Sequence, residues 1–190
     1  MQHTKFMSTG NNKSKRVCHA YPFLISFLLL LSSVCSAQNI SKYYKSSKQE
    51  NGVLYFVMPK MEFDNKSNGS NLNYDITYLT TLDSATVNIS FTDDSVNSID
   101  SISFVQNGKE FSSNPKKIYI EPHKSKWVHR YTSRFSFNDL HFLFAQEISP
   151  KMILHTSAGA KELTVNQSSW RKNSVIVSRV FSMIKLSKGQ

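Results

Sequence analysis

Cysteine is almost missing from this sequence: Cys18 and Cys35 are the only two in 190 residues. Both precede residue 38, so the rest of the chain offers no disulfide, thiol nucleophile or cysteine-held zinc. Glycine and proline are scarce, at six and five residues, and no glycine-rich phosphate loop occurs. The G-x-S-x-G elbow, which exposes a serine on a tight strand-to-helix turn, is missing. So is the S-x-x-K and K-T-G pair. Of the six histidines, the four after residue 37, His123, His129, His141 and His155, form no H-E-x-x-H. These absences leave no catalytic residue and no metal ligand to name, and no cofactor is expected.

Long apolar runs are also rare. The one that stands out is Tyr21 to Val34, about fourteen residues or roughly 21 Å as a helix, short for a hydrocarbon core of roughly 30 Å. Lys5, Lys13, Lys15 and Arg16 precede it without any acidic residue, and Cys35-Ser36-Ala37 follows with small side chains at the positions a signal peptidase accommodates. Residues 1–37 therefore read as a signal peptide, with Gln38 as the mature N-terminus and translation starting at Met1 or Met7. A retained N-terminal anchor is one alternative. Lipidation at Cys35 is another: Leu31-Ser32-Ser33-Val34-Cys35 resembles a bacterial lipobox, but Val34 stands where that motif has a small residue. The reading implies export to the periplasm or beyond, with no transmembrane span after cleavage, and the lack of disulfides favours a bacterial envelope.

Removing the leader changes the charge. Four of the 23 basic residues and none of the 13 acidic ones lie in it, so the formal charge falls from +10 to +6. The remaining roughly 150 residues suffice for one domain with its own core.

Residues 38–52, Q-N-I-S-K-Y-Y-K-S-S-K-Q-E-N-G, are polar and without period, and read as a tether. From Val53 to Gln190 the pattern is that of a single β-rich domain. Val53–Met58 is a continuous apolar strand, and Tyr74, Ile76 and Tyr78 share one face of the next. Ala85, Val87, Ile89 and Phe91 alternate with polar residues, the mark of a half-buried strand. Asp93, Asp94, Asn97 and Asp100 fall in an acidic link that lacks the order and central glycine of a calcium loop, and so reads as a solvated connection. Asn107-Gly108 predicts a type I′ hairpin. Ile118–Ile120, Met152–Thr156 and Glu162–Val165 complete the strands. Residues 138–145 fit helix (Leu140, Leu143, Phe144) or strand (Leu140, Phe142, Phe144). Residues 168–187 form an amphipathic helix with Trp170, Val177, Val180, Phe181 and Ile184 on one side, opened by a serine cap. The fold class is mainly β: an antiparallel β-sandwich or curled sheet with one C-terminal helix packed on it.

The stretch K-S-K-W-V-H-R-Y-T-S-R-F, Lys124 to Phe135, mixes bases with aromatics. As a strand its period of two separates them. Trp127, His129, Tyr131 and Phe135 fall on the core side; Lys124, Lys126, Arg130 and Arg134 line the outer side at about 6.6 Å intervals. A single-stranded nucleic-acid platform needs rings and charges on the same face, so nucleic acid is not the expected partner. The basic row suits a glycan sulfate, a lipid head group or another anionic surface, with Lys116, Lys117, Arg171 and Lys172 available to extend it. Trp127 or Tyr43-Tyr44 would be its stacking partners.

Three functions fit. The first is a non-catalytic binding or accessory module of the cell envelope, its partner an envelope protein, a glycan or an anionic surface. The second is a carbohydrate- or polyanion-binding module using the basic row. The third is a small envelope hydrolase whose site is assembled from separated residues.

Overall fold

The computed structural model describes residues 40–188. The proposed signal peptide, with Cys18, Cys35 and the cleavage position, lies outside the described residues. The strands are β1 (Tyr44–Gln49), β2 (Gly52–Val57), β3 (Phe63–Asn65), β4 (Ser70–Leu79), β5 (Ser84–Asp93), β6 (Ile99–Gln106), β7 (Lys109–Ser113), β8 (Lys116–His123), β9 (Lys126–Ser136), β10 (Lys151–Thr156) and β11 (Gly159–Thr164). The helices α1 (Phe137–Phe144) and α2 (Gln167–Ser187) interrupt and follow the last strands.

All strands join one antiparallel sheet in the order β7-β6-β10-β11-β3-β4-β5-β9-β8, with the β1–β2 hairpin attached to β4. One edge of β4 is shared: its first residues pair with β3 and its last with β2. The alternation read in β4 and β5 is realised. Leu72, Tyr74, Ile76 and Tyr78, and Ala85, Val87, Ile89 and Phe91, are all buried, while their neighbours are half-buried or exposed. At the hairpin, Asn107 and Gly108 take φ of 50° and 74°, the positive pair that a type I′ turn requires.

Of the two β architectures the sequence allows, the curled sheet forms. Strands that are not neighbours meet through their inner side chains. Phe104 of β6 lies 6.0 Å from Phe63 of β3 and 5.2 Å from Phe135 of β9, ring centre to ring centre. At the seam, Tyr131 Oη accepts the Ile99 N–H at 3.2 Å, and Ser133 Oγ donates to Ser113 Oγ at 2.8 Å. A flat sheet permits none of these contacts.

The helices pack on the same inner face. Residues 137–144 are helical, which resolves the ambiguity of that segment: Phe137, Leu140, Leu143 and Phe144 are buried together, as a helical face buries i, i+3 and i+4. Phe137 meets Tyr78 at 4.3 Å and Phe181 at 5.1 Å, both rings tilted to it. Trp170 is fully buried, lies against Phe144 at 5.6 Å and donates Nε1–H to the Gln146 carbonyl at 2.9 Å. The cap of α2 is Asn166 and not the serine expected from sequence: its Oδ1 accepts the N–H groups of Ser168 and Ser169, satisfying two donors that the first turn leaves open and placing both serines inside the helix.

One segment differs from its sequence reading. The polar tether read over residues 38–52 contains β1, paired along its whole length with β2. Five of its six residues are exposed, so backbone pairing at a sheet edge holds it and no side-chain alternation announces it. Tyr43 anchors its start, donating Oη–H to Asn173 Oδ1 of α2 at 2.6 Å.

Candidate functional site

β9 begins at Lys126 and ends at Ser136, paired with β5 on one side and β8 on the other. Its inner face carries His129, Tyr131, Ser133 and Phe135, all buried; its outer face carries Lys126, Val128, Arg130, Thr132 and Arg134. The separation of aromatics from bases expected from parity therefore exists, with Trp127 half-buried at the strand's start. Tyr43 is buried, so its ring is not available for stacking, and Tyr44 is half-buried with its ring centre 6.1 Å from that of Tyr55.

The four outer bases have three different situations. Lys124 is not in the strand. It occupies the β8–β9 turn with φ of 58° and is exposed. Lys126 is tied down: Nζ donates to the Gly69 carbonyl at 2.6 Å and lies 3.6 Å from Asp94. Arg130 is bound more fully. Its guanidinium donates to Ser90 Oγ at 2.7 Å and to Asp75 Oδ1 at 3.3 Å, while Asn88 donates to the other Asp75 oxygen at 2.7 Å. This is a closed outer network across β4, β5 and β9. Arg134 is exposed and pairs with no carboxylate among the described residues.

Arg134 faces a cleft of ≈ 400 Å³ lined by Thr86, Ser113, Asn114, Lys116, Thr132, Ser133 and Arg134. The strand pairings explain its position. Thr86 stands opposite Arg134 on β5, and Lys116 opposite Thr132 on β8. Ser113 and Asn114 lie where the chain passes from β7 to β8, beside the curl's seam. The lining contains two cations, four hydroxyls, one amide and no carboxylate. Such a set donates hydrogen bonds to oxyanions, and a guanidinium presents two parallel N–H groups to a carboxylate or sulfate.

A second polar group is interior. Asp93, at the end of β5, is 2% exposed. Its carboxylate accepts hydrogen bonds from Ser70 Oγ at 2.6 Å and Ser95 Oγ at 2.9 Å, and from the ammonium of Lys161 on β11. Burial alone raises the acid's pKa, yet the bonds from Lys161, Ser70 and Ser95 and the lysine charge outweigh it and hold it at about 2. The acidic link is thus not uniformly solvated: Asp93 turns inward and Asp94 outward toward Lys126. Nearby His129 is 1% exposed, with Nδ1 3.3 Å from the Phe91 carbonyl and Nε2 accepting the Asn97 N–H at 3.4 Å. Burial, the largest influence, lowers its pKa despite the Phe91 carbonyl and the Asp93 charge, and the two contacts fit a neutral ring protonated on Nδ1. Every polar atom of this group is committed to the fold. Lys161 and Asp93 bridge β11 and β5 across the curl, a structural lock.

Sequence reasoning missed that lock, although a signal existed. Asp93 continues the inward series Ala85, Val87, Ile89, Phe91, and Lys161 shares the inward parity of Leu163. Two opposite charges on inward parities point to a buried pair. Among the described residues no group of three or more His, Cys, Asp or Glu gathers as metal ligands would. No helix of the described residues is long and apolar enough to cross a membrane.

Comparison with known proteins supplies no family: no family model matches the sequence, no curated protein matches it, and no solved structure matches the fold.

Proposed function

We propose that this chain is an exported, non-catalytic binding module of the bacterial cell envelope, and that it holds an acidic sugar of an envelope glycan in the Arg134–Lys116 cleft. The observation that carries the reading is the lining of that cleft, which sets two cations without carboxylate partners among the described residues beside hydroxyl and amide groups. Its volume of ≈ 400 Å³ lies within the range of about 300–1,000 Å³ typical of small-ligand sites, and suits one uronate or sulfated residue. Export rests on the leader, Lys5 to Ala37. Binding is favoured over catalysis because the buried acid and imidazole, Asp93 and His129, are both saturated by hydrogen bonds to the fold. The polyanion reading of the whole β9 row narrows accordingly: Lys126 and Arg130 are spent on neighbours, and Arg134 with Lys116 remains for a ligand.

Titration with a glucuronate-containing disaccharide, followed by amide resonances, tests the proposal. Shifts concentrated at Thr86, Ser113, Asn114 and Thr132, abolished by Arg134→Gln, are the expected result. Shifts elsewhere, or binding that survives Arg134→Gln with Lys116→Gln, would remove the cleft as the site.

A further inference from the structure

The outer face of α2 shows a different kind of charge from β9. The helix reads QSSWRKNSVIVSRVFSMIKLS, with Arg171, Lys172, Arg179 and Lys185 and no acidic residue. Helical geometry, 100° per residue, puts Arg171, Lys172 and Arg179 on the side away from the buried Trp170, Val177, Val180, Phe181 and Ile184, with Lys185 at its flank. All four are exposed, and none forms an ion pair among the described residues. The stripe runs about 21 Å along the helix at 1.5 Å per residue. A solvated helix ordinarily mixes such bases with Glu or Asp at i±4, which relieves repulsion and adds solubility. This one does not.

Two further observations give the stripe a direction. Val175 and Leu186, 48% and 76% exposed, lie within it, so the basic face also presents apolar side chains. Arg171 and Arg179 border a groove of ≈ 580 Å³ between α2 and the end of α1, where Val175, Ser174 and Ser178 also stand and Glu147 is the one carboxylate.

We propose that the outer face of α2 rests on an anionic bilayer surface, its four cations meeting lipid phosphates and Val175 and Leu186 entering the head-group layer. A bilayer is favoured over an acidic protein because the helix sets exposed cations around the exposed aliphatic Val175 and Leu186, with no acidic residue of its own and no exposed aromatic to fix the register of a protein interface. The surface is independent of the Arg134 cleft, whose lining residues belong to β5, β7–β9 and their connection.

The test is sedimentation of the full chain with vesicles of phosphatidylglycerol and phosphatidylethanolamine, against neutral phosphatidylcholine vesicles. Two variants of equal charge change are compared: R171Q/K172Q/R179Q/K185Q on α2, and K116Q/K117Q/K124Q/R134Q on β8, its turn and β9. The parent is expected to prefer anionic vesicles at least tenfold, the α2 variant to lose that preference, and the β8–β9 variant to keep it. Equal loss in both variants would reduce the effect to net charge, and no loss in the α2 variant would assign binding to the leader; either result overturns the proposal. Circular dichroism and melting establish that each variant is folded. If the fourfold α2 variant is not, R171Q/K172Q and R179Q/K185Q are each expected to lower anionic binding at least threefold, and unchanged binding in both would overturn the proposal. An acidic protein competing the chain off vesicles while vesicles alone bind it weakly would also contradict it.

Discussion

Lys161 and Arg134 are both cations on strands of the same sheet, and they mark its two ways of carrying charge. Lys161 points into the curl, where Asp93 takes its ammonium and two serines complete the carboxylate. Arg134 points outward into a cleft with no carboxylate. Between these extremes stand Lys126 and Arg130, on the outer face but bound to Asp94 and Asp75. The difference teaches that residue type and strand parity do not separate structural from ligand-facing cations. The partner does.

Removing the interior lysine sharpens this contrast most. Lys161→Met leaves the Asp93 carboxylate buried without its cation and is expected to cost about 3 kcal/mol in urea unfolding. Adding Asp93→Asn should restore part of that, because the uncompensated charge is then gone. Acid reads out the same lock. Asp93 has a folded pKa of about 2 against an ordinary 3.8, so its contribution is complete above the unfolded value and is lost as pH falls from about 4 toward 2. His129 has its pKa lowered from 6.5, so the unfolded chain takes up its proton first, and stability also declines as pH falls below 6.5. Urea midpoints from pH 7.5 to 2.5 should therefore fall in two stages, and the second should shrink in Lys161→Met, where Asp93 has lost the cation that helps hold its folded pKa below the unfolded one.

Smaller effects belong to other positions. Tyr74 Oη is buried without a hydrogen-bond partner among the described residues, and burial raises its pKa far above the ordinary tyrosine value. Removing that hydroxyl with Tyr74→Phe is expected to be neutral or to stabilise by about 1 kcal/mol, measurable as a raised urea midpoint. Arg130→Met opens a partly exposed network and should cost about 0.5 kcal/mol or less by the same measure. Arg134→Gln should leave the midpoint unchanged within about 0.3 kcal/mol.

Much of the architecture was legible because strand and helix periods are local. The inward parity of His129, Tyr131 and Phe135, the Asn107-Gly108 turn and the helix ending at Ser187 each follow from a few consecutive residues. β1 was not legible, since Lys45 to Gln49 are exposed and joined to β2 through backbone groups. Residues 138–145 fitted both periods until Tyr78 and Phe181 supplied the surface that Phe137 and its helical neighbours cover. The candidate site was half legible. Arg134 appears on the outer face of β9 by parity, but the cleft also needs Thr86 of β5, Lys116 of β8 and the Ser113–Asn114 link set beside it by the strand pairings, and no short-range pattern encodes that register. Lys126 and Arg130 looked equivalent to Arg134 because their partners, Asp94 and Asp75, lie 32 and 55 positions away.

The central claim is that partnered cations serve the fold while the unpartnered pair Lys116 and Arg134 serves a ligand. The direct test compares K116Q/R134Q with K126Q/R130Q for retention on an acidic-glycan resin and for urea midpoint. The first pair is expected to lose retention at least tenfold with its midpoint unchanged, and the second to keep retention while its midpoint falls. Equal loss of retention in both pairs, or none in the first, would contradict it.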